Sequence, residues 1–597
     1  MSNEIEKLKR QIAKLPRGYI SNKNIRGKMR HYRQWTENGK IKSEYISDDN
    51  YETIRDSIAI RKELEKKLKA LNKEKKTEKS SFDEYEMNVI TGNALQEMVA
   101  YVKGWEKREC YSMLETYLYG KVTPRVCSVY GLRRTGKTTL LHQAIGSMNE
   151  ENFSKAAYVK ARKTQTMSML DRDLRKLYQN GFRYIFIDEI TFIEDFVDTA
   201  SFLSDIYAAM GMKIVLSGTD SLGLWFATHE ELYDRTYTIH TTWIPYSEHA
   251  RLLGIGDVDE YIRYGGTLRV GETDFDDEEL RNEEVSFRDN ETTRRYIDTA
   301  ICGNIQHSLK CYESGTHFRH LQKLYENNEL NGAINRVIEN MNHRFVLKVL
   351  TDDFNSGDLE LSRKNMLRER NPALRIDVLD RIDTAEVTER LMEIFDIRNK
   401  ADRSVELADV HVSEIREYLQ ALELIENYPV RYAGANNEDT ENILFTQPGM
   451  RYCQAQALVF SLKKDRIFAE LNPAESDYVC SSILDEIKGR MLEEIVLYET
   501  IKKMGTQYEV FKLVFAAGEF DMVVYDKENH ICRIYEIKHS TEAVPEQCRH
   551  LIDSEKCGIT GNRFGTIASK SVLYRGESMV NEQGIEYVNV SCYLKEL

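Results

Sequence analysis

Apolar positions along this chain switch between two spacings, and the switches outline its architecture. Ile5, Leu8, Ile12 and Leu15 recur at helical spacing. The stretches from Gly18 to Ser21, Met29 to Trp35 and Ile41 to Ile46 alternate as strands do, with Glu37-Asn-Gly39 as a turn between the last two. A charged helix with the apolar stripe Ile54, Ile58, Ile60, Leu64 and Leu68 follows, then a Lys/Glu-rich linker. Residues 88–118 read as helical. Beyond them, short apolar strands at 126–130, 156–159, 183–190 and 213–219 are separated by helical patterns. Strands alternating with helices predict a parallel sheet with its ligand at the carboxyl ends of the strands. Residues 271–293 hold ten acidic residues against two arginines, the composition of an exposed linker. Helices over 294–312 and 318–325 are expected to form a lid. From about 346, helices lead into Val412–Glu426 and two short strands at 430–432 and 443–446, the order of a winged helix. An amphipathic helix begins at Gly489, and strands follow at 518–525, 532–538, 571–574 and 586–590.

Length and composition bound this outline. The 597 residues are enough for about four domains. Hydrophobic residues make up 41% and charged residues 30%, ordinary values for a protein with a sizeable core. No apolar run reaches the ~18 residues of a membrane span and the first residues lack an apolar leader, so a cytoplasmic protein without membrane partners is expected. The ten cysteines show neither C-x-x-C pairs nor zinc spacing, which predicts reduced thiols. The net charge of -14 is unevenly spread: residues 1–80 carry 22 Lys and Arg against 12 Asp and Glu, or +10, leaving -24 on the rest. Aromatics interleaved with Arg26, Lys28, Arg30 and Arg33 could contact nucleic acid, or the ribbon could simply pack on the body.

Gly131-Leu-Arg-Arg-Thr-Gly-Lys-Thr138 reads as a phosphate cradle at a strand-to-helix junction. Gly131 and Gly136 let the backbone amides turn toward an anion, with Arg134, Thr135 and Thr139 lining the same loop. Lys137 would reach the β- and γ-phosphates of ATP, and the Thr138 hydroxyl would be a Mg²⁺ ligand. Asp188 ends a buried strand and would hold Mg²⁺ through water, leaving Glu189 as the base for the attacking water. Ser217, Thr219 or Asp220 stands where a γ-phosphate sensor would.

A second constellation lies near the C-terminus. Period-2 geometry puts Asp521, Val523 and Tyr525 on one face of a strand, and Ile534, Glu536 and Lys538 on one face of the next. If the faces coincide, Asp521 and Glu536 would bind Mg²⁺ and Lys538 would position or activate a water, with Glu493 as a further ligand.

The loop, the strand Tyr-Ile-Phe-Ile-Asp188-Glu189-Ile, Leu232-Tyr-Asp-Arg235 followed by Ile244-Pro-Tyr-Ser-Glu248, and Tyr264-Gly-Gly266 together resemble prokaryotic AAA+ ATPases of the archaeal-type ATPase group. The resemblance covers roughly residues 85–597. It implies an α/β multidomain chain: a P-loop AAA+ parallel-sheet core at 81–270, a helical lid at 271–345, a winged-helix segment at 346–470 and an α/β restriction-endonuclease-like domain at 471–597, behind a basic N-terminal ribbon and helix at 1–80. It also implies Arg235 as a conformational or γ-phosphate-sensing arginine, although Asp234 replaces the family's glycine there. The function expected is ATP hydrolysis coupled to action on DNA with a Mg²⁺-dependent nuclease-like domain, with room for a homo-oligomer. The alternatives are a nucleotide-regulated interaction ATPase whose last domain binds without cutting, and an ATPase regulating a toxin, transporter or defence system.

Overall fold

The computed structural model describes residues 11–25, 28–37, 40–82, 85–193, 195–218, 224, 227, 232–268, 286–305, 318–355, 390, 393, 407–434, 438–465 and 471–597. The acidic segment expected at 271–293 lies mostly outside them, as do Thr219, Asp220 and Arg26. The chain divides into two units, Met1–Ile90 and Thr91–Leu597.

In the first unit three antiparallel strands, Tyr19–Ile25, Lys28–Glu37 and Lys40–Ile46, precede the helix Asp48–Phe82. The helix covers the charged helix expected at 50–78 and runs a few residues into the expected linker. Its Lys/Glu-rich composition favours helix as well as solvation.

In the second unit, the strands Ala156–Lys160, Tyr184–Asp188, Lys213–Ser217, Val126–Tyr130 and Thr236–His240 lie side by side in that order, all parallel. Val126–Tyr130 is buried at every position, as a parallel strand covered on both faces must be, which is why it reads as apolar apart from Ser128. The expected helix at 88–118 is broken instead: short helices span Gly92–Val99 and Tyr111–Tyr119.

The C-terminal sheet draws strands from both sides of the domain boundary expected at 470. The strands Ile425–Tyr432 and Thr440–Phe445 form an antiparallel hairpin, as a wing would. Yet Val430–Tyr432 pairs in parallel with Lys512–Val514, so the hairpin is the edge of a sheet that continues through Tyr508–Val514, Glu519–Asp526, Ile531–Ile537, Thr566–Tyr574 and Glu586–Asn589. The crossover between the paired strands runs through the helices Pro448–Ser461 and Pro473–Lys503. The latter starts 16 residues before Gly489, under an Asn472–Glu475 capping box. It lays Ile483, Ile487, Met491 and Leu497 into one apolar cluster with Tyr246, Tyr261, Tyr428, Val510 and Met522. The nucleotide-side helices and the C-terminal sheet therefore share a core. Among the described residues no helix is long and apolar enough to cross a membrane, and the nine described cysteines are free.

Candidate functional site

The loop after Val126–Tyr130 is held by close packing that only its own residue types permit. Gly131 has φ 152°, and a Cβ there would sit 2.3 Å from Thr241 Oγ1 and 2.8 Å from the Thr242 amide nitrogen. Gly136, at φ 85°, caps the helix Lys137–Gly146, whose amino end faces the loop. Thr135 donates its hydroxyl hydrogen bond to the Leu132 carbonyl at 2.8 Å and meets Thr241 Oγ1 at 2.8 Å. Lys137 is buried, and its ammonium donates to the carbonyls of Gly131 (2.6 Å) and Leu132 (2.8 Å). Burial pushes its pKa down to about 8 against the opposing pull of Glu189 and Asp188.

Asp188 emerges where its strand ends. Its Oδ2 accepts from Thr138 (3.3 Å), Tyr158 (2.7 Å) and Lys160 (2.7 Å), and its Oδ1 from Ser217 (2.5 Å) and the Glu189 amide (3.1 Å). Burial alone would raise its pKa, but Lys160, Ser217 and Tyr158 outweigh that and hold it below the ordinary range. Glu189 follows in the left-handed conformation, φ 58°, a costly geometry for a non-glycine residue and one that swings its half-buried side chain out of the strand's line. Arg134 also has positive φ, at 63°, and Thr139 lies half-buried in the first turn of the helix.

Arg235 is placed elsewhere. Its carbonyl accepts from the Val126 amide, at the amino end of the strand that leads into the loop, and its guanidinium pairs with Asp205 at 3.2 Å. In a parallel sheet that is the edge opposite the loop, so Arg235 does not stand beside the loop of its own chain.

Arg108 had no signal in the sequence. It is 6% exposed and donates to the Thr135 carbonyl (2.7 Å), the Thr241 carbonyl (2.7 Å), the Trp243 carbonyl (2.9 Å) and the Glu248 carboxylate (2.6 Å), tying the loop to the segment 241–248. Tyr158 and Lys160 were missed as well, although their positions on the neighbouring strand are those that parallel register brings beside Asp188: Lys160 pairs with it directly.

The loop and Asp188 fit a magnesium nucleotide. Gly131 leaves the space a side chain would fill, Lys137 supplies a buried cation, and Thr138 and Asp188 lie within hydrogen-bond distance of each other. Lys137 and the loop amides would hold the phosphates, and Thr138 and Asp188 the ion.

In the C-terminal sheet, Val523 pairs with Ile534 and Met522 with Tyr535, so the next step outward sets Asp521 opposite Glu536. Both carboxylates are 2% exposed. The Lys538 ammonium bridges them, 3.2 Å from Asp521 Oδ2 and 2.8 Å from Glu536 Oε2, while the Ile537 amide also donates to Asp521 at 2.7 Å. Glu493, Glu519 and Asp521 each place a carboxylate oxygen within 4.8 Å of the others. Lys512 lies between the first two, 3.0 Å from Glu493 and 2.6 Å from Glu519, and Arg490 contacts both. Burial and the Asp521 charge push Glu536 well up, while Lys538 and Lys512 overcome burial to hold Asp521 low. Glu519, Lys512 and Arg490 were not foreseen. Glu519 was the findable one, two residues from Asp521 on the same strand.

This set also fits a divalent cation that prefers oxygen ligands: several carboxylates converge, and Glu536 Oε1 is buried without a partner. Glu493, Asp521 and Glu536 would hold it, with Glu519 added, and the ion would supply charge neutralisation for an anionic substrate.

Residues 123–249 match the family model of the AAA domain, and residues 1–56 match that of a domain of unknown function (DUF6788). Gly131–Thr138 and Asp188 both lie within the segment that matches the AAA domain. No curated protein matches the chain. Among solved structures, the Aeropyrum pernix ORC1 protein in complex with DNA is similar at 16% identity over 61% of this chain and 92% of that one, with a TM-score of 0.20. The Saccharomyces cerevisiae Hsp104–ADP complex is similar at 12% identity over 80% and 66%, with a TM-score of 0.25. Superpositions this loose carry no argument.

Proposed function

We propose that the chain is an ATP-hydrolysing AAA+ protein that acts on DNA, and that its C-terminal carboxylate–lysine cluster is a Mg²⁺-dependent phosphodiesterase site. The observation that carries the second half is the convergence of Asp521, Glu536 and Lys538 from adjacent strands. In the AAA domain Lys137 binds the terminal phosphates, Asp188 and Thr138 fix the ion, and Glu189 removes a proton from the attacking water. In the C-terminal sheet Lys538 positions the water that attacks the phosphodiester, and the ion when bound neutralises charge on the phosphate.

A second reading rests on the same cluster. Lys512 and Lys538 already clip the carboxylates in pairs, so the region could bind DNA or protein under nucleotide control without cutting. The two readings separate in one assay: purified chain with single-stranded, duplex and branched DNA in Mg²⁺ or Mn²⁺, alongside Asp521→Asn. Metal-dependent cleavage that Asp521→Asn abolishes is expected; no cleavage of any DNA form by the wild type would leave the binding module. For the ATPase, Glu189→Gln should retain ATP and slow turnover by ~10²–10⁴-fold; unchanged turnover removes Glu189 as base.

A further inference from the structure

The first unit carries chemistry that neither catalytic reading uses. Its strand register assigns every side chain to one of two faces. His31 pairs with Ile46, and this face is covered: Ile46 is 3% exposed, and the His31 ring lies 4.0 Å from that of Tyr51 on the helix Asp48–Phe82. Tyr32 pairs with Tyr45 on the opposite face, and Ser21 pairs with Tyr32, so Tyr19 lies one diagonal step away on that same face. Lys23 pairs with Arg30, and Lys28 stands two residues before Arg30, so all three cations share the tyrosine face.

This face is open. Tyr19 is 51% and Tyr45 53% exposed, and Lys23, Lys28 and Arg30 are exposed as well. The Tyr32 and Tyr45 rings meet edge to face, their centroids 5.6 Å apart and their planes at 67°. Cations stand over them: Lys23 Nζ is 5.4 Å from the Tyr32 centroid and Arg30 Cζ 5.9 Å from that of Tyr45. Arg33 and Trp35, singled out in the sequence for the same role, fall on the covered side with His31. Aromatic rings left partly in water on a sheet face, two of them beneath cations, are poorly suited to an apolar partner, which would bury the cationic groups unpaired. They suit a ligand with flat π faces strung on a polyanion.

We infer that the face formed by Tyr19, Tyr32, Tyr45, Lys23, Lys28 and Arg30 binds single-stranded nucleic acid, stacking about two to three bases on the tyrosines and drawing the phosphates to the cations. The excess of +10 over residues 1–80 supplies the long-range attraction. A duplex is disfavoured because its bases show only their edges in the grooves, and a flat face enters neither groove. The inference stands without the proposed nuclease, since it uses none of that site's residues.

The test uses the full chain carrying Asp521→Asn, so that no oligonucleotide is cut, and fluorescence anisotropy with labelled dT10, U10 and a ten-base-pair duplex. Binding to dT10 or U10 should exceed duplex binding, and the ratio of the two tells DNA from RNA as the preferred strand. Tyr19→Ala and Tyr45→Ala should each weaken it about tenfold, whereas Tyr45→Phe should stay within about twofold of the parent, because stacking needs the ring and not the hydroxyl. Lys23→Ala and Arg30→Ala should each lower the slope of log affinity against log salt by about 0.7. No binding of any oligonucleotide at low salt, Ala variants within twofold of the parent, tighter duplex binding, or equal competition by poly-glutamate would each overturn it. ATP turnover should be unchanged in Tyr45→Ala; its loss would mean that the substitution disturbs the fold, and Tyr45→Phe together with the salt slopes then decides.

Discussion

At the AAA loop one buried carboxylate, Asp188, is shared by Lys160, Tyr158, Ser217 and Thr138; in the C-terminal sheet four carboxylates, Glu493, Glu519, Asp521 and Glu536, are shared among Arg490, Lys512 and Lys538. Donors outnumber acceptors at the first site, and the second keeps one buried carboxylate oxygen, on Glu536, without a partner. The first is therefore organised before any ligand arrives, with a cation and loop amides aimed at an anion. The second crowds four carboxylates around three cations, and the upward push on Glu536, from burial and then from Asp521, is the mark of that crowding, which a cation would relieve. Both set a lysine beside a buried aspartate, yet they are arranged for partners of opposite sign.

If the sites are separate, Lys137→Ala should cut ATP turnover by at least about 10²-fold and leave metal binding at the C-terminal cluster intact, while Lys538→Ala should do the reverse to cleavage. Loss of both activities in either variant would break the comparison, provided circular dichroism shows an unchanged fold. Next in size is Arg108→Met, which leaves Glu248 buried without its partner and should cost about 3–5 kcal/mol in denaturant unfolding. A loss under ~1 kcal/mol would mean that the clamp on the loop is dispensable.

The smallest effect concerns the helix Pro473–Lys503, which carries Glu493 to the carboxylate cluster and Glu499 to the nucleotide side. Glu499 is 2% exposed and accepts the Tyr246 amide at 2.6 Å; burial outweighs that bond and pushes its pKa up to about 8. Between the ordinary carboxylate pKa of about 4.3 and about 8 the folded chain holds a proton that the unfolded chain has released. Stability from this group is thus complete below that window and lost as pH rises through it. Thermal melts should fall between pH 5 and 8 more steeply in the wild type than in Glu499→Gln; parallel curves would contradict the assignment.

What the sequence disclosed depended on how local each feature is. The loop and Asp188-Glu189 were legible because each motif lies within one strand and its following turn. Asp521, Glu536 and Lys538 were legible as a condition, since period 2 sets the faces but not the register between strands. Arg108 was invisible because its contact with Glu248 spans 140 residues and its type is unremarkable in a helical stretch. The hairpin at 425–445 is legible locally, but nothing in those residues announces its pairing with Lys512, some 80 positions later. Arg235 rests on resemblance alone, and the parallel sheet sets its backbone at the edge opposite the loop.

The most direct test of a second, cation-seeking site is electron paramagnetic resonance counting of bound Mn²⁺ on the nucleotide-free chain, comparing wild type, Asp188→Asn and Asp521→Asn. Wild type and Asp188→Asn should retain a bound ion that Asp521→Asn loses; equal Mn²⁺ occupancy in all three, or none in the wild type, would contradict the account.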